Sequence, residues 1–277
     1  MKSKTPSSNT KSSNKSSTTP TVTVLCPTFN RHSFLHIAVY QFQYQDYPKD
    51  RMDMIILDDT PSGPWEDAEE VMKNDPRVKY IYSKERYIIP KKRNTLNDMA
   101  TGDIIVCMDD DDYYPPTRVK HVISKLTKST ALIAGSSELL IYDCKTEKGY
   151  KVGPYGGVPD KYGNVKTNHG TNGSFGYRRE LLKDHRYDDT QTNNYAEEKY
   201  FLKDFTTPMV QLNPYDTIIC FNHSSNTFDK TPVLAQQGIV RPIQMDLRKL
   251  IKDTKVYEFF SSLRGRDTPQ SSPGVQD

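Results

Sequence analysis

Ile104 to Met108 is apolar without a break, and the next four residues, Asp109 to Asp112, are all aspartate. A short apolar run bounded by turn signals reads as a buried parallel strand, and α/β folds bind ligands just beyond the carboxyl ends of such strands. Four adjacent anions repel one another by roughly 4 kcal/mol per close pair at an effective dielectric near 20. A cation or an arginine is therefore required beside them. Hard carboxylate oxygens select Mg²⁺ or Mn²⁺ over softer metals.

The rest of the chain supplies the sheet that such a strand needs. Val22 to Cys26 reads as a first strand, followed by apolar positions at helical spacing from Phe34 to Phe42. Met54 to Leu57 is a second strand, ending in Asp58 and Asp59, and Val78, Tyr80 and Tyr82 alternate as a third. Pro90 opens a helix that runs to about Ala100, with Gly102 as its stop signal. After the Ile104 strand, Pro116 begins a helix with Val119, Val122, Ile123 and Leu126 on one face, and Ala131 to Ala134 is a fifth strand. This alternation predicts an α/β fold, Rossmann-like, with a mostly parallel central sheet flanked by helices. From Gly149 to Gly176 the chain is rich in Gly, Tyr, Asn and Pro and reads as loops over the sheet. A short helix is expected over Ala196 to Phe205, strands near Val210 and over Ile218 to Phe221, and a C-terminal helix over Ile243 to Leu263.

A chain of 277 residues holds one such domain with appendages. Residues 1–20 carry no acidic residue and no apolar one after Met1, so they read as a disordered tail. Residues 21–230 then form the main domain, and 231–277 a helical extension with a frayed end. The tail holds Lys2, Lys4, Lys11 and Lys15; removing these four from the 38 basic residues leaves 34 against 35 acidic ones, a net of −1. The overall charge of +3 thus belongs to the tail and implies no nucleic-acid partner. The start lacks the apolar core of a signal peptide, and no stretch approaches the roughly 18 apolar residues of a membrane span. A soluble, cytoplasmic protein is expected. Cys26, Cys107, Cys144 and Cys220 show no CxxC spacing and read as buried free thiols.

Six segments in order, Val24 to Arg31, Ile56 to Asp59, Lys92 to Asn94, Met108 to Asp112, Ala196 to Leu202 and Phe221 to Asn226, resemble those of the family 2 glycosyltransferases. These have the GT-A fold and use a nucleotide-diphospho-sugar. The resemblance spans roughly Val22 to Thr227 and implies a metal-dependent, inverting transfer from a nucleotide-sugar, most simply a UDP-sugar, to an acceptor hydroxyl, with Mn²⁺ or Mg²⁺. Glycan, protein and lipid acceptors stay open.

By that resemblance Asp109 and Asp111 form the DxD motif, with Asp111 the direct metal ligand, Asp110 a ribose or metal-water contact and Asp109 a ribose contact. Pro27, Thr28, Phe29 and Arg31 lie along the nucleotide, with Phe29 packed on the base. Asp59 accepts the uracil N3–H, and Arg93 reaches a uracil carbonyl or the diphosphate. His223 completes the metal shell. Glu197 and Glu198 match the acidic catalytic pair; Glu198 takes the place of the general base, although this chain has Glu where Asp is usual, so the choice between the two stays open. A departing nucleoside diphosphate is multiply charged, which is why such a site carries a divalent ion. His169 is a candidate for the acceptor side.

Two other classes remain. A sugar-phosphate nucleotidyltransferase would use the same aspartates but needs a Gly-rich basic loop after the first strand, and Pro27 to Arg31 has no glycine. A non-catalytic sugar- or nucleotide-binding module would keep the fold and lose turnover. An EF-hand is excluded, because its sixth and twelfth positions, counted from Asp109, are Tyr114 and Lys120.

Overall fold

The apolar runs become the centre of a sheet because each buries both faces. In the computed structural model, which describes residues 19–157, 167–190, 197–228 and 230–264, β1 (Val22–Thr28) is buried along its whole length. It leads into α1 (His32–Gln43), β2 (Met52–Asp58), α2 (Ala68–Asn74), β3 (Val78–Tyr82), α3 (Ile89–Met99) and β4 (Ile104–Cys107). Then come α4 (Arg118–Thr127), β5 (Ile133–Gly135), β6 (Leu139–Asp143), β7 (Lys148–Val152), β8 (Gly176–Arg178), α5 (Glu197–Phe201), β9 (Met209–Gln211) and β10 (Ile219–Asn222). The described chain closes with α6 (Thr231–Leu234), β11 (Val240–Ile243), α7 (Leu247–Leu250) and α8 (Thr254–Ser261).

Among the described residues, seven strands form one sheet in the order β3-β2-β1-β4-β8-β5-β9, and four form a second in the order β10-β6-β7-β11. β3, β2, β1 and β4 run parallel, and β8 is antiparallel to both of its neighbours. Alternate residues feed two cores. Val24, Cys26, Met54, Ile56 and Val106 pack beneath Leu35, Phe42, Val119 and Val122, whereas Leu25, Ile55, Leu57, Ile105 and Cys107 pack against Leu96, Phe201 and Leu202. That is the two-sided burial that parallel strands require. In register, Thr28 lies beside Asp58 and Leu25 beside Cys107, so the β1, β2 and β4 ends share one edge.

All four cysteines are buried free thiols, as their spacing suggests. Among the described residues no helix is long and apolar enough to cross a membrane.

The second sheet departs from the sequence reading. Lys148–Val152 and Val240–Ile243 carry lysine, glycine, arginine and proline and lack clear alternation, yet they pair in register from Val152↔Val240 to Gly149↔Ile243. Gly149 is required there, since a Cβ on it would sit 2.3 Å from the Met245 Cβ. The expected C-terminal helix over Ile243 to Leu263 is corrected: Ile243 ends a strand, and two short helices follow. Asp246 and Asp253 cap them, accepting from the N–H groups of Arg248 and Lys249 and of Val256. Val256 and Phe260 of α8 then bury against Phe221, Tyr113 and Phe34. The expected helix from Ala196 shortens to Glu197–Phe201, with Ala196 outside the described residues, and Lys203, Asp204 and Phe205 turn left-handed. The tail at 1–18 and the end from 265 also lie outside the described residues.

Candidate active site

A cleft of about 640 Å³ opens over the shared strand edge. Pro27, Thr28, Phe29 and Arg31 line it at and just after the end of β1, Asp109, Asp111 and Asp112 after β4 as an acidic floor, and Glu197 and Glu198 from α5 as a glutamate wall. The first loop is shaped by Asn30, left-handed at φ 55°, whose N–H donates to Thr60 Oγ1 at 2.8 Å.

The four aspartates are compensated one by one. Arg93 donates from Nη1 to Asp109 at 3.1 Å. Asp110 is turned away from the cleft: its side chain is fully buried and takes Arg31 Nε at 2.9 Å, Arg31 Nη2 at 2.7 Å and the Thr28 hydroxyl at 2.5 Å. Burial raises its pKa to about 6, against the pull of Arg31. Asp111 accepts from Asn226 Nδ2 at 2.9 Å and lies 3.5 Å from Arg31 Nη1. Burial would raise its pKa, but Arg31, Lys230 and His223 hold it below the usual range. Asp112 takes the Phe221 N–H at 3.0 Å, and burial lifts it to about 7. Like charges and low dielectric thus split the three neighbouring carboxylates of Asp110, Asp111 and Asp112.

Asp111 Oδ2 and His223 Nε2 lie 4.0 Å apart, with Asn226 Nδ2 within 3.0 Å of each, so the two side chains are close enough that they would hold one ion together. Among the described residues no three His, Cys, Asp or Glu side chains gather into a ready-made metal centre. The set fits an ion that draws its remaining ligands from phosphate oxygens and water, which is how Mg²⁺-type sites are commonly built.

The two glutamates differ. Glu197 Oε1 accepts from Arg93 Nε at 2.8 Å and Asn172 Nδ2 at 2.6 Å, while its Oε2 is buried without a partner. Burial raises Glu197 to about 7 in spite of Arg93. Glu198 is partly exposed and takes the Asn172 N–H on Oε1 at 3.1 Å. Arg93 thereby ties the aspartate floor to the glutamate wall. Asn172 itself is set by Tyr187, whose hydroxyl donates to its Oδ1.

Asp59 has a fully buried side chain and accepts from Lys92 Nζ, from the Tyr87 N–H at 2.7 Å and from Arg86 Nη1 at 2.8 Å. Asp58 is spent on structure, taking His32 and the Tyr80 hydroxyl at 2.6 Å each. His169 is stacked between Tyr155 and Phe205.

Sequence reasoning gave no role to Arg86, Asn172 and Lys230, and none to Lys92 beyond its place in the Lys92 to Asn94 segment. Lys230 donates to the Phe221 carbonyl at 3.0 Å; burial disfavours its charge, but Asp112 and Asp111 keep its pKa raised. A lysine directly before Arg93 was the one local signal. The others reach the cleft from distant segments.

The pattern of the family described as Glycosyl transferase family 2 matches residues 23–186. Over 102 residues the chain is 33% identical to WcaA of Escherichia coli K12, named for a colanic acid biosynthesis glycosyl transferase; this covers 36% of each chain. Over 119 residues it is 29% identical to a Campylobacter jejuni protein named GalNAc(5)-diNAcBac-PP-undecaprenol beta-1,3-glucosyltransferase, covering 42% of this chain and 38% of that one. The matched stretch therefore spans well under half of either relative. Among solved structures, the mannosyltransferase PcManGT of Pyrobaculum calidifontis, in complex with GDP-Man and Mn²⁺, superposes with a TM-score of 0.56 at 16% identity, covering 76% of this chain and 59% of that one. S. aureus TarS 1-349 with UDP-GlcNAc gives 0.52 at 15% identity, covering 74% and 60%. With a matched family pattern over more than half its length and a GT-A fold around the cleft, the chain belongs to glycosyl transferase family 2.

Proposed function

We propose that the protein transfers a sugar from a nucleotide-sugar, most simply a UDP-sugar, to an acceptor hydroxyl, with Mn²⁺ or Mg²⁺ and with inversion at the anomeric carbon. The observation that carries this reading is Arg93, which pairs with both Asp109 of the acidic floor and Glu197 of the glutamate wall. Donor phosphates and an acceptor base are the two groups a glycosyl transfer must bring together. Asp111 and His223 are the residues that would hold the ion, which supplies charge stabilisation to the departing diphosphate. Arg31 and Lys230 add fixed positive charge on the same side. Asp110 acts on the donor only through Arg31, because its own oxygens are spent inside.

Glu198 is the better base of the pair. Glu198 has one oxygen fixed by the Asn172 N–H and lines the cleft, whereas the free oxygen of Glu197 is buried. Glu198 takes the proton of the acceptor hydroxyl, and the hydroxyl oxygen forms its bond to the anomeric carbon. The bond from that carbon to the diphosphate oxygen breaks, and the nucleoside diphosphate leaves. Proton transfer of this kind contributes about 10² to 10⁴ in rate.

The test is a calorimetry and thermal-shift panel of nucleotide-sugars with and without Mn²⁺, followed by NMR of the product anomer. A metal-dependent preference for one UDP-sugar with inverted product supports the reading. A response to no nucleotide-sugar, in folded protein with metal present, refutes it, and a retained anomer refutes the inverting step.

A further inference from the structure

We infer that Arg86 is a resident stand-in for the nucleobase, an inference that rests on the donor-binding reading above. Its guanidinium carbon lies 3.5 Å from the Phe29 ring centroid, and its Nη1 donates to Asp59 at 2.8 Å. A planar π-system against Phe29, with an N–H on Asp59, is the arrangement expected of the donor's own base. At 3.5 Å the two groups are in van der Waals contact, so no base fits between them. Arg86 and the base therefore compete for one place.

Three further features suit a side chain built to leave. Arg86 is 45% exposed and sits on the segment between β3 and α3, while Lys92 and Asp59 are buried. Its second anchor is its neighbour's carbonyl, Tyr87 O at 2.9 Å, a local bond cheaply exchanged for water. Asp59 keeps Lys92 and the Tyr87 N–H when Arg86 departs, so the carboxylate stays compensated and one acceptor position opens.

A base with a ring N–H can take that position: N3–H of uracil or N1–H of guanine. Adenine and cytosine present a ring nitrogen acceptor there, which would face the carboxylate lone pair to lone pair. Every nucleotide must first displace Arg86, so the wild-type affinity is reduced by the fraction of molecules in which the place is open.

The experiment is calorimetric titration of UDP and of GDP, with Mn²⁺, into wild type, Arg86→Ala and Arg86→Lys. An exposed ion pair and a cation–π contact together hold the closed form by a few fold to tenfold. Arg86→Ala is expected to bind its nucleotide roughly three- to ten-fold more tightly than wild type, and Arg86→Lys to fall between them. An ordinary contact residue gives the opposite sign. Equal or weaker binding by Arg86→Ala, with wild type binding, overturns the stand-in role and leaves the donor reading intact. No binding of either nucleotide by any of the three proteins overturns the donor reading and the inference with it.

Discussion

Arg31 clamps Asp110 through two nitrogens, Nε at 2.9 Å and Nη2 at 2.7 Å, with both side chains nearly closed to solvent. Removing one member of a buried pair leaves the other uncompensated, at a cost of about 3–5 kcal/mol. Arg31→Ala is expected to lose that much in urea unfolding. Arg31→Ala with Asp110→Asn should recover a large part of it, and a double-mutant cycle that shows additivity would refute the coupling.

Asp111→Ala should keep the fold, because the pairs at Asp109 and Asp110 remain. It should lose the Mn²⁺-dependent part of any thermal shift given by a nucleotide-sugar, a stabilisation of about 2.7 kcal/mol at ligand a hundredfold above its dissociation constant. A shift equal to that of wild type would remove Asp111 from the ion's shell.

Glu198→Gln should lower kcat by about 10² to 10⁴ with donor affinity unchanged. Asn172→Ala, which removes the amide bond to Glu197 but keeps the backbone N–H on Glu198, should lower kcat by a smaller factor and leave donor affinity alone. Steady-state kinetics beside donor calorimetry separates these from a loss of binding.

Glu197 gives a pH signature in stability. Burial raises its folded-state pKa from the ordinary 4.5 to about 7, so the folded protein holds this proton longer than the unfolded chain does. The contribution is fully present below about pH 4.5 and is lost as pH rises through about 7. Glu197→Gln cannot lose a proton there. Relative to wild type, the variant should therefore gain up to about 3 kcal/mol between pH 4 and pH 8 in urea unfolding. A constant difference across that range would show that folding does not shift the Glu197 pKa.

Gly102→Ala tests the frame behind the site. A Cβ there would lie 2.5 Å from the Thr23 nitrogen and 2.8 Å from the Val22 carbonyl carbon, both backbone atoms of β1. Overpacking of this kind costs about 1–3 kcal/mol, read as a lower midpoint of thermal unfolding.

Gly102 also illustrates what the sequence reveals and what it hides. It reads correctly as the end of a helix, but the close approach to β1 comes from the sheet and leaves no local trace. The strands that bear the aspartates are legible because each is a continuous apolar run with its own turn signal. β7 and β11 are not, since Lys148, Arg241 and Pro242 are exposed and Lys151 half-buried, so that pairing alone defines the strand. Asp246 and Asp253 were available as helix caps and mark the break in the expected C-terminal helix. The run Asp109 to Asp112 stood out in the sequence, and the family resemblance pointed to Asp59, Glu197 and Glu198, whereas the pairings of these acids left no local signal. Arg86 meets Asp59 across 27 residues, Arg93 meets Glu197 across 104, and Asn226 meets Asp111 across 115.

The two sheets are stitched together at the acidic run itself. Tyr113 and Ile219 exchange backbone bonds at 3.0 and 2.9 Å, and Asp112 takes the Phe221 N–H at 3.0 Å. β10 thus hangs from the residues immediately after the proposed ion ligand, and through β6 it carries β7, β11 and the terminal helices packed on them. Anything that steadies the aspartates also steadies this seam. Amide hydrogen exchange at Ile219 and Phe221 becomes a remote gauge of occupancy, and a protein whose seam has opened should lose its second sheet and its catalytic floor in one cooperative step.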